Sequence, residues 1–194
     1  SYDGTFGGAY ALYPSLSYDH GAGKVSAGIP RSVLDRGYLP GATIFGSGGL
    51  LGRGYSIFTG SVMNNGYATD FGDPINFVPV GARWDGSFGT TRVGASAHYL
   101  VGDSAFALAA AARHETAGFD SFDNVALFGG AELIVTGGTP IFSLRAGAEA
   151  RVGPATLGLH YSNTNNAALH LVTAYGDYAV SDAFSLDGSL SYLS

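Results

Sequence analysis

The chain has 194 residues, with 9 basic and 15 acidic side chains for a net charge of −6. Apolar residues make up 46% and charged residues only 12%, about half the usual share. No basic stripe is present to meet phosphates, which argues against nucleic acid as a partner. The absence of cysteine excludes disulfides, thiolate metal centres and a cysteine nucleophile.

No stretch approaches the ~20 consecutive apolar residues of a membrane helix. The longest apolar block is Ala105–Ala112, so the one way left to span a bilayer is with a closed barrel of strands. Gly is abundant at 31 residues, and Tyr and Phe contribute 12 each. Lys24 is the only lysine; the other basic residues are arginines. No leader segment is visible, and Ser1 fits a mature terminus that follows a cleavage site.

In chain order, strands are predicted over 8–18 and 24–29, followed by a long glycine-rich segment, 30–76. That segment carries Arg31, Asp35, Arg36, Arg53, Asp70 and Asp73 together with Leu34, Tyr38, Leu39, Ile44 and Phe45. Its apolar content argues against disorder, and loops of this length in a compact domain tend to be functional. Further strands are predicted over 77–85, 91–101, 105–115, 125–136, 141–152, 155–162, 168–178 and 184–193. The clearest alternation runs from Phe142 to Val152: Phe142, Leu144, Ala146, Ala148, Ala150 and Val152 share one face, and Ser143, Arg145, Gly147, Glu149 and Arg151 the other. A period of two belongs to a strand and cannot be kept by a helix. Turn signals at Gly86-Ser87, Gly102-Asp103, Gly137-Gly138, Gly153-Pro154, Asn163–Asn166 and Ser181-Asp182 separate the strands into a meander of hairpins.

Lengths near ten residues suit tilted membrane strands, which need ~9–11. Trp84, Tyr99, Phe106, Tyr161, Tyr178, Phe184 and Tyr192 fall near strand ends, where interfacial girdles lie. A soluble sandwich would put polar residues outward, whereas here the uniform face is apolar and the mixed face holds the charge. The expected fold is therefore all-β: one antiparallel transmembrane β-barrel over 1–194, with a polar, charged interior.

The order Gly23-Lys24-Val25-Ser26-Ala27-Gly28, the long segment, then residues 80–100 (VGARWDGSFGTTRVGASAHYL) resembles general bacterial porins of the alphaproteobacterial type. Arg83-Trp84-Asp85 and Gly94-Ala95-Ser96-Ala97-His98-Tyr99 stand where that family has paired strands after its inward-folded third loop. The resemblance covers roughly 20–101 by motif. It implies a Gram-negative outer-membrane channel, with 30–76 as the constriction loop and a homotrimeric assembly. It also implies passive diffusion of small polar solutes and ions without a cofactor or turnover, among membrane lipids and lipopolysaccharide. The family places four or five strands before that loop and ends on an aromatic residue. This chain shows two strands there and ends in Tyr192-Leu193-Ser194. It therefore reads either as part of a sixteen-stranded barrel or as a small barrel whose interior is filled by side chains.

On the channel reading, the constriction residues are Asp35, Arg36, Arg53, Asp70, Asp73, Arg83, Arg92, Arg113 and Arg145. Loop acids would oppose arginines on the wall and bias ion passage. The alternative is that the same charges satisfy one another as salt bridges in a filled barrel. A second class of function is suggested by His160-Tyr161-Ser162-Asn163, which resembles the active-site strand of outer-membrane lipid A deacylases. His and Ser at i and i+2 share a strand face, so the imidazole could activate the hydroxyl. Position 174, where those enzymes carry an acid, is Ala, and alternation turns Tyr161 rather than His160 outward. No enzyme activity is expected on this reading. A structural or adhesive barrel without a pore is the third class. His98, His114, His160 and His170 lack metal-ligand spacing, residues 46–54 lack the Lys-Ser/Thr of a phosphate loop, and Asp120, Asp123 and Asn124 read as turn residues rather than a Ca²⁺ site.

Overall fold

The period-two pattern is realised as ten strands: β1 (Ser15–Asp19), β2 (Lys24–Gly28), β3 (Val78–Phe88), β4 (Thr91–Val101), β5 (Ala105–Ala117), β6 (Asn124–Val135), β7 (Ile141–Val152), β8 (Ala155–Thr164), β9 (Leu169–Ser181) and β10 (Phe184–Leu193). The computed structural model describes residues 12–34, 38–39, 77–118, 121–165, 169–181 and 184–194. Every strand pairs antiparallel with its sequence neighbours, giving one ten-stranded meander in the order β1 to β10. β1 and β10 are the two edges of this sheet, which is not closed on itself.

The ladders differ from the sequence-based boundaries in a few places. The turn expected at Gly86-Ser87 lies at Gly89-Thr90. Gly86 and Ser87 stay in register opposite Val93 and Arg92, and Gly89, at φ 59°, makes the reversal. Gly86 is small because the Trp84 ring occupies the space that its Cβ would take. β8 continues through Asn163, whose side chain meets His170 across the ladder. The portion of the first predicted strand before residue 12, and the long segment over 40–76, lie outside the described residues.

Alternation sorts the two faces without exception. Every Asp, Glu, Lys and Arg of the ten strands falls on one face, from Asp19 and Lys24 through Arg83, Arg113, Glu149 and Asp187. The exposed large hydrophobics of the strands all fall on the other, among them Leu16, Phe106, Leu108, Leu127, Phe142, Leu157, Leu159, Val180 and Leu190. The charged face is the inner one in the sense that it carries the buried side chains: Ser96, His98, Glu132, Ser143, Arg145, His160, Ser162, Thr164 and Thr173 are all buried.

The chain that leaves β2 turns onto this inner face. Pro30 O accepts from His98 Nε2 at 2.8 Å, Val33 N donates to Ser96 Oγ at 3.3 Å, and Ser32 O accepts from Arg83. Val33, Leu34, Tyr38 and Leu39 are almost fully buried and pack with Ala109, Ala111 and Phe128. The register explains why they fit. Asp85, Gly94, Ala111, Gly130 and Arg145 form one row across β3 to β7, so the centre of the row is a shallow floor of small residues. Leu34 lies against Gly130, and Tyr38 and Val33 against Gly94. A second apolar cluster joins Phe77, Leu100, Ala105, Ala107 and Ile134 on the same face, nearer the ends that carry the long segment, with Tyr13, Ile29 and Ile141 packed against it.

Glycines elsewhere on the inner face open slots for large neighbours. Glu149, Gly158 and Tyr175 stand in one row, and the bare Gly158 lets the Tyr175 ring cross β8 so that its hydroxyl donates to Glu149 at 2.9 Å. Phe128, Gly147 and His160 repeat the arrangement: the Phe128 ring lies over Gly147 and stacks with His160, centroids 6.1 Å apart. Gly158→Val forces the Tyr175 ring out of this slot, so denaturant unfolding should show a loss of about 1–3 kcal/mol, in the range of overpacked cores. Gly137→Val, in a turn with open space around it, should stay within about 0.5 kcal/mol of the parent.

Candidate functional site

The ionic groups of the inner face gather toward the end of the sheet that carries the Gly89-Thr90 and Gly153-Pro154 turns. Each of the four described candidate arginines lies on this face, but their surroundings differ.

Arg83 is held by its own strand. Asp85, two residues along β3, takes the guanidinium in a fork, Nη2 to Oδ1 at 2.6 Å and Nε to Oδ2 at 2.7 Å. Two parallel charge-assisted bonds are the geometry in which arginine binds carboxylate most strongly. Tyr38 completes the arrangement: its hydroxyl lies 2.9 Å from Asp85 Oδ1 and 2.9 Å from Val93 O, and the Arg83 head sits 5.9 Å from its ring centroid. The pair therefore cements the incoming segment to β3 and β4.

Arg92 and Arg113 are directly opposite one another on β4 and β5, a placement that like charges disfavour. Two glutamates compensate. Glu115 approaches Arg113 Nε at 3.0 Å and Arg92 Nη2 at 3.4 Å, and Glu149 meets Arg113 Nη2 at 2.6 Å. Tyr175 then donates to Glu149 from β9, and the Arg113 head lies over Phe128 at 5.8 Å. The network Arg92–Glu115–Arg113–Glu149–Tyr175 so laces β4, β5, β7 and β9 together from the inside. Arg113 and Glu149 are well covered, whereas Arg92 is 45% and Glu115 40% exposed; the Arg92 contact is accordingly screened by solvent and weak.

Arg145 is fully buried. Its Nη1 donates to the carbonyls of Leu144 and Asn163, both at 3.0 Å, which anchors β7 to β8 through main-chain acceptors. Asp35, Arg36, Arg53, Asp70 and Asp73, expected to supply the other side of a constriction, lie outside the described residues.

His160 and Ser162 do share the inner face, as alternation requires, and both are fully buried. Among the described residues Ser162 Oγ finds no hydrogen-bond partner, so the imidazole and hydroxyl are not joined there as a nucleophile and its base would be. Asp123 closes the neighbouring turn by accepting from the Gly153 amide, a structural task. Among the described residues no group of three or more His, Cys, Asp or Glu is placed to hold a metal ion.

Period-two alternation puts the carboxylates that partner the arginines on the charged face, but it does not say which arginine each one meets. The signal was present for two of them: Arg83-x-Asp85 and Arg113-x-Glu115 each put opposite charges two residues apart, on one face of one strand, whereas Glu149 meets Arg113 from another strand. Tyr38 and Tyr175 carried no such signal, because their reach depends on Gly94 and Gly158 in neighbouring strands.

A double-mutant cycle separates the two kinds of pair. Arg113→Ala with Glu149→Ala should give a coupling of about 1–2 kcal/mol in unfolding experiments, and Arg92→Ala with Glu115→Ala less than about 0.5 kcal/mol. Equal couplings would contradict the difference in burial.

Comparison with protein-family models, with curated proteins and with solved structures gives no match.

Proposed function

We propose that the chain is the membrane-spanning wall of a bacterial outer-membrane porin, a passive diffusion channel for small polar solutes and ions. The observation that carries this reading is the complete segregation of charge: all acidic and basic strand residues face inward, and the outward face exposes a continuous set of large apolar side chains. In water such a face would be a severe aggregation liability; against hydrocarbon it is the required surface.

Strand length supports the same reading. The 11 residues of β3 or β4 extend about 36 Å and, tilted by about 40°, stand about 28 Å tall, close to the apolar band of outer-membrane barrels. Aromatics mark both rims of the outward face: Tyr99 and Phe106, 5.0 Å apart, with Phe142 toward one end, and Phe88, Tyr178 and Phe184 toward the other. Inside hydrocarbon the free edges of β1 and β10 have to be satisfied by strand pairing, since unpaired backbone groups are not tolerated there. Closure into a barrel is therefore part of the proposal.

The described residues after β2, 30–34 with Tyr38 and Leu39, dock on the inner face, which supports the reading of 30–76 as an inward-folded loop narrowing the lumen. Barrels of this class have short periplasmic turns and longer external loops. The end with the two-residue turns Gly89-Thr90 and Gly153-Pro154 would then face the periplasm, and the end that carries 29–77 the exterior. Membrane lipids and lipopolysaccharide would cover the outward face, and homotrimeric assembly follows from the family resemblance. Solutes would be sorted by size and by the charges left exposed on the wall, Arg92 and Arg151 among them.

Planar-bilayer recording of the purified native protein tests this directly. Stepwise, long-lived openings are expected, and Arg92→Glu should shift the reversal potential in a salt gradient toward cation preference. A bilayer that stays silent at protein levels where insertion is verified would contradict the channel.

A further inference from the structure

Near the tight-turn end of the inner face lies a recess of about 400 Å³, bounded by the β1–β2 turn, β3, β4 and the ring of Tyr38. Five charged side chains line it: Lys24, Arg83, Arg92, Asp19 and Asp85. Two of these are already committed to one another. Asp85 takes the Arg83 guanidinium in a fork and the Tyr38 hydroxyl besides, so neither its carboxylate nor Arg83 has much left for a ligand.

The remaining three are unequal. Lys24 forms no ion pair among the described residues, although it stands directly opposite Asp85 on one side and Asp19 on the other. Asp19 turns its carboxylate to the Gly21 amide at 3.1 Å, closing the β1–β2 turn. Arg92 is half exposed, and its one ionic contact among the described residues is the long 3.4 Å approach to Glu115, a carboxylate that Arg113 already holds at 3.0 Å. The recess thus presents one ammonium and most of one guanidinium, with the hydroxyl of Ser87 between the strands that carry them. After the Arg83–Asp85 pair cancels, the lining keeps a surplus of one positive charge in a chain whose net charge is −6.

We propose that this recess binds the oxyanion group of a small solute, a carboxylate or a phosphate, between Arg92 and Lys24. Arginine offers a planar fork of donors to two oxygens, and lysine a point charge on a flexible stem; the two approach the same space from β4 and β2. The proposal deepens the channel reading, since it names anionic solutes as those retained on the way through. Binding itself requires only the folded wall.

The test is a titration of the detergent-folded protein with inorganic phosphate and, separately, with acetate, followed by backbone amide chemical shifts. Both probes should move the amides around Gly23, Lys24, Ser87 and Arg92 in a saturable manner and leave those around Arg151 unmoved. Arg92→Gln and Lys24→Gln should each weaken phosphate binding roughly fivefold, as expected for one exposed charge contact. Arg151→Gln, an exposed arginine outside the recess, should change it less than about twofold. Shifts that do not saturate, that spread to Arg151, or that weaken equally in all three variants would overturn the site. The wild-type shift map decides the question even if a variant fails to fold. A protein that conducts but shows no saturable shift overturns the recess and leaves the channel, whereas one that binds phosphate in silent bilayers leaves the recess and removes the channel.

Discussion

Strand register is the constraint on which the rest of this structure depends. With side chains alternating at a period of two, a slip of one residue in any ladder would carry that strand's charges to the apolar face and its leucines to the ionic one. In β7 such a slip would turn Arg145, Glu149 and Arg151 outward together. In the membrane wall proposed above, a charged side chain facing hydrocarbon would cost on the order of 2–4 kcal/mol at mid-depth and less toward the rims, so several at once would be comparable with the stability of a typical domain. The cross-strand ion pairs of the inner face act in the same direction. Arg113 meets Glu149 only if β5, β6 and β7 are all in register, and Tyr175 reaches Glu149 only if β8 and β9 are as well.

Glycine placement converts that register into space. Gly94, Gly130, Gly147 and Gly158 all lie on the inner face, and each receives a large neighbour: Tyr38, Leu34, Phe128 and Tyr175 respectively. The first two form the seat for the segment that enters the inner face after β2; the last two let rings cross a whole strand. These strand glycines are thus architectural, and they explain how the inner face can be polar, aromatic and closely packed at once. The polarity is graded along the strands. Phe77, Leu100 and Ile134 close one end of the described inner face, whereas Arg92, Glu115, Glu149 and Arg151 populate the other.

Much of this was readable from the residues alone. Period-two alternation placed the eight strands that follow the long segment, each to within three residues, because a half-buried sheet with one apolar and one ionic face leaves the strongest periodic signal a strand can carry. The boundary at Gly86-Ser87 was misplaced for a physical reason: glycine reads as a turn in sequence, but this one stays in the ladder to accommodate the Trp84 ring. The inner face was assigned to the right residues, and Arg83, Arg92, Arg113 and Arg145 all stand on it. What the sequence did not reveal was how differently they are held. Forked pairing of Arg83, the shared glutamates of Arg113 and the carbonyl anchoring of Arg145 depend on cross-strand register, which periodicity leaves open. The seat for Val33, Leu34, Tyr38 and Leu39 is hidden for the same reason, since Gly94, Ala111 and Gly130 become neighbours only when three strands align.

The measurement that bears most directly on the central claim is a single-cysteine scan of β8 in the lipid-reconstituted protein, which has no native cysteine to interfere. Cysteine would be placed in turn at Thr156, Leu157, Gly158, Leu159, His160, Tyr161 and Ser162, each labelled with a fluorophore and exposed to a lipid-borne quencher. Quenching should alternate, strong at Leu157, Leu159 and Tyr161 and weak at the four positions between. Uniform quenching, or its complete absence at the three apolar positions, would contradict a wall with lipid on one side and a charged interior on the other.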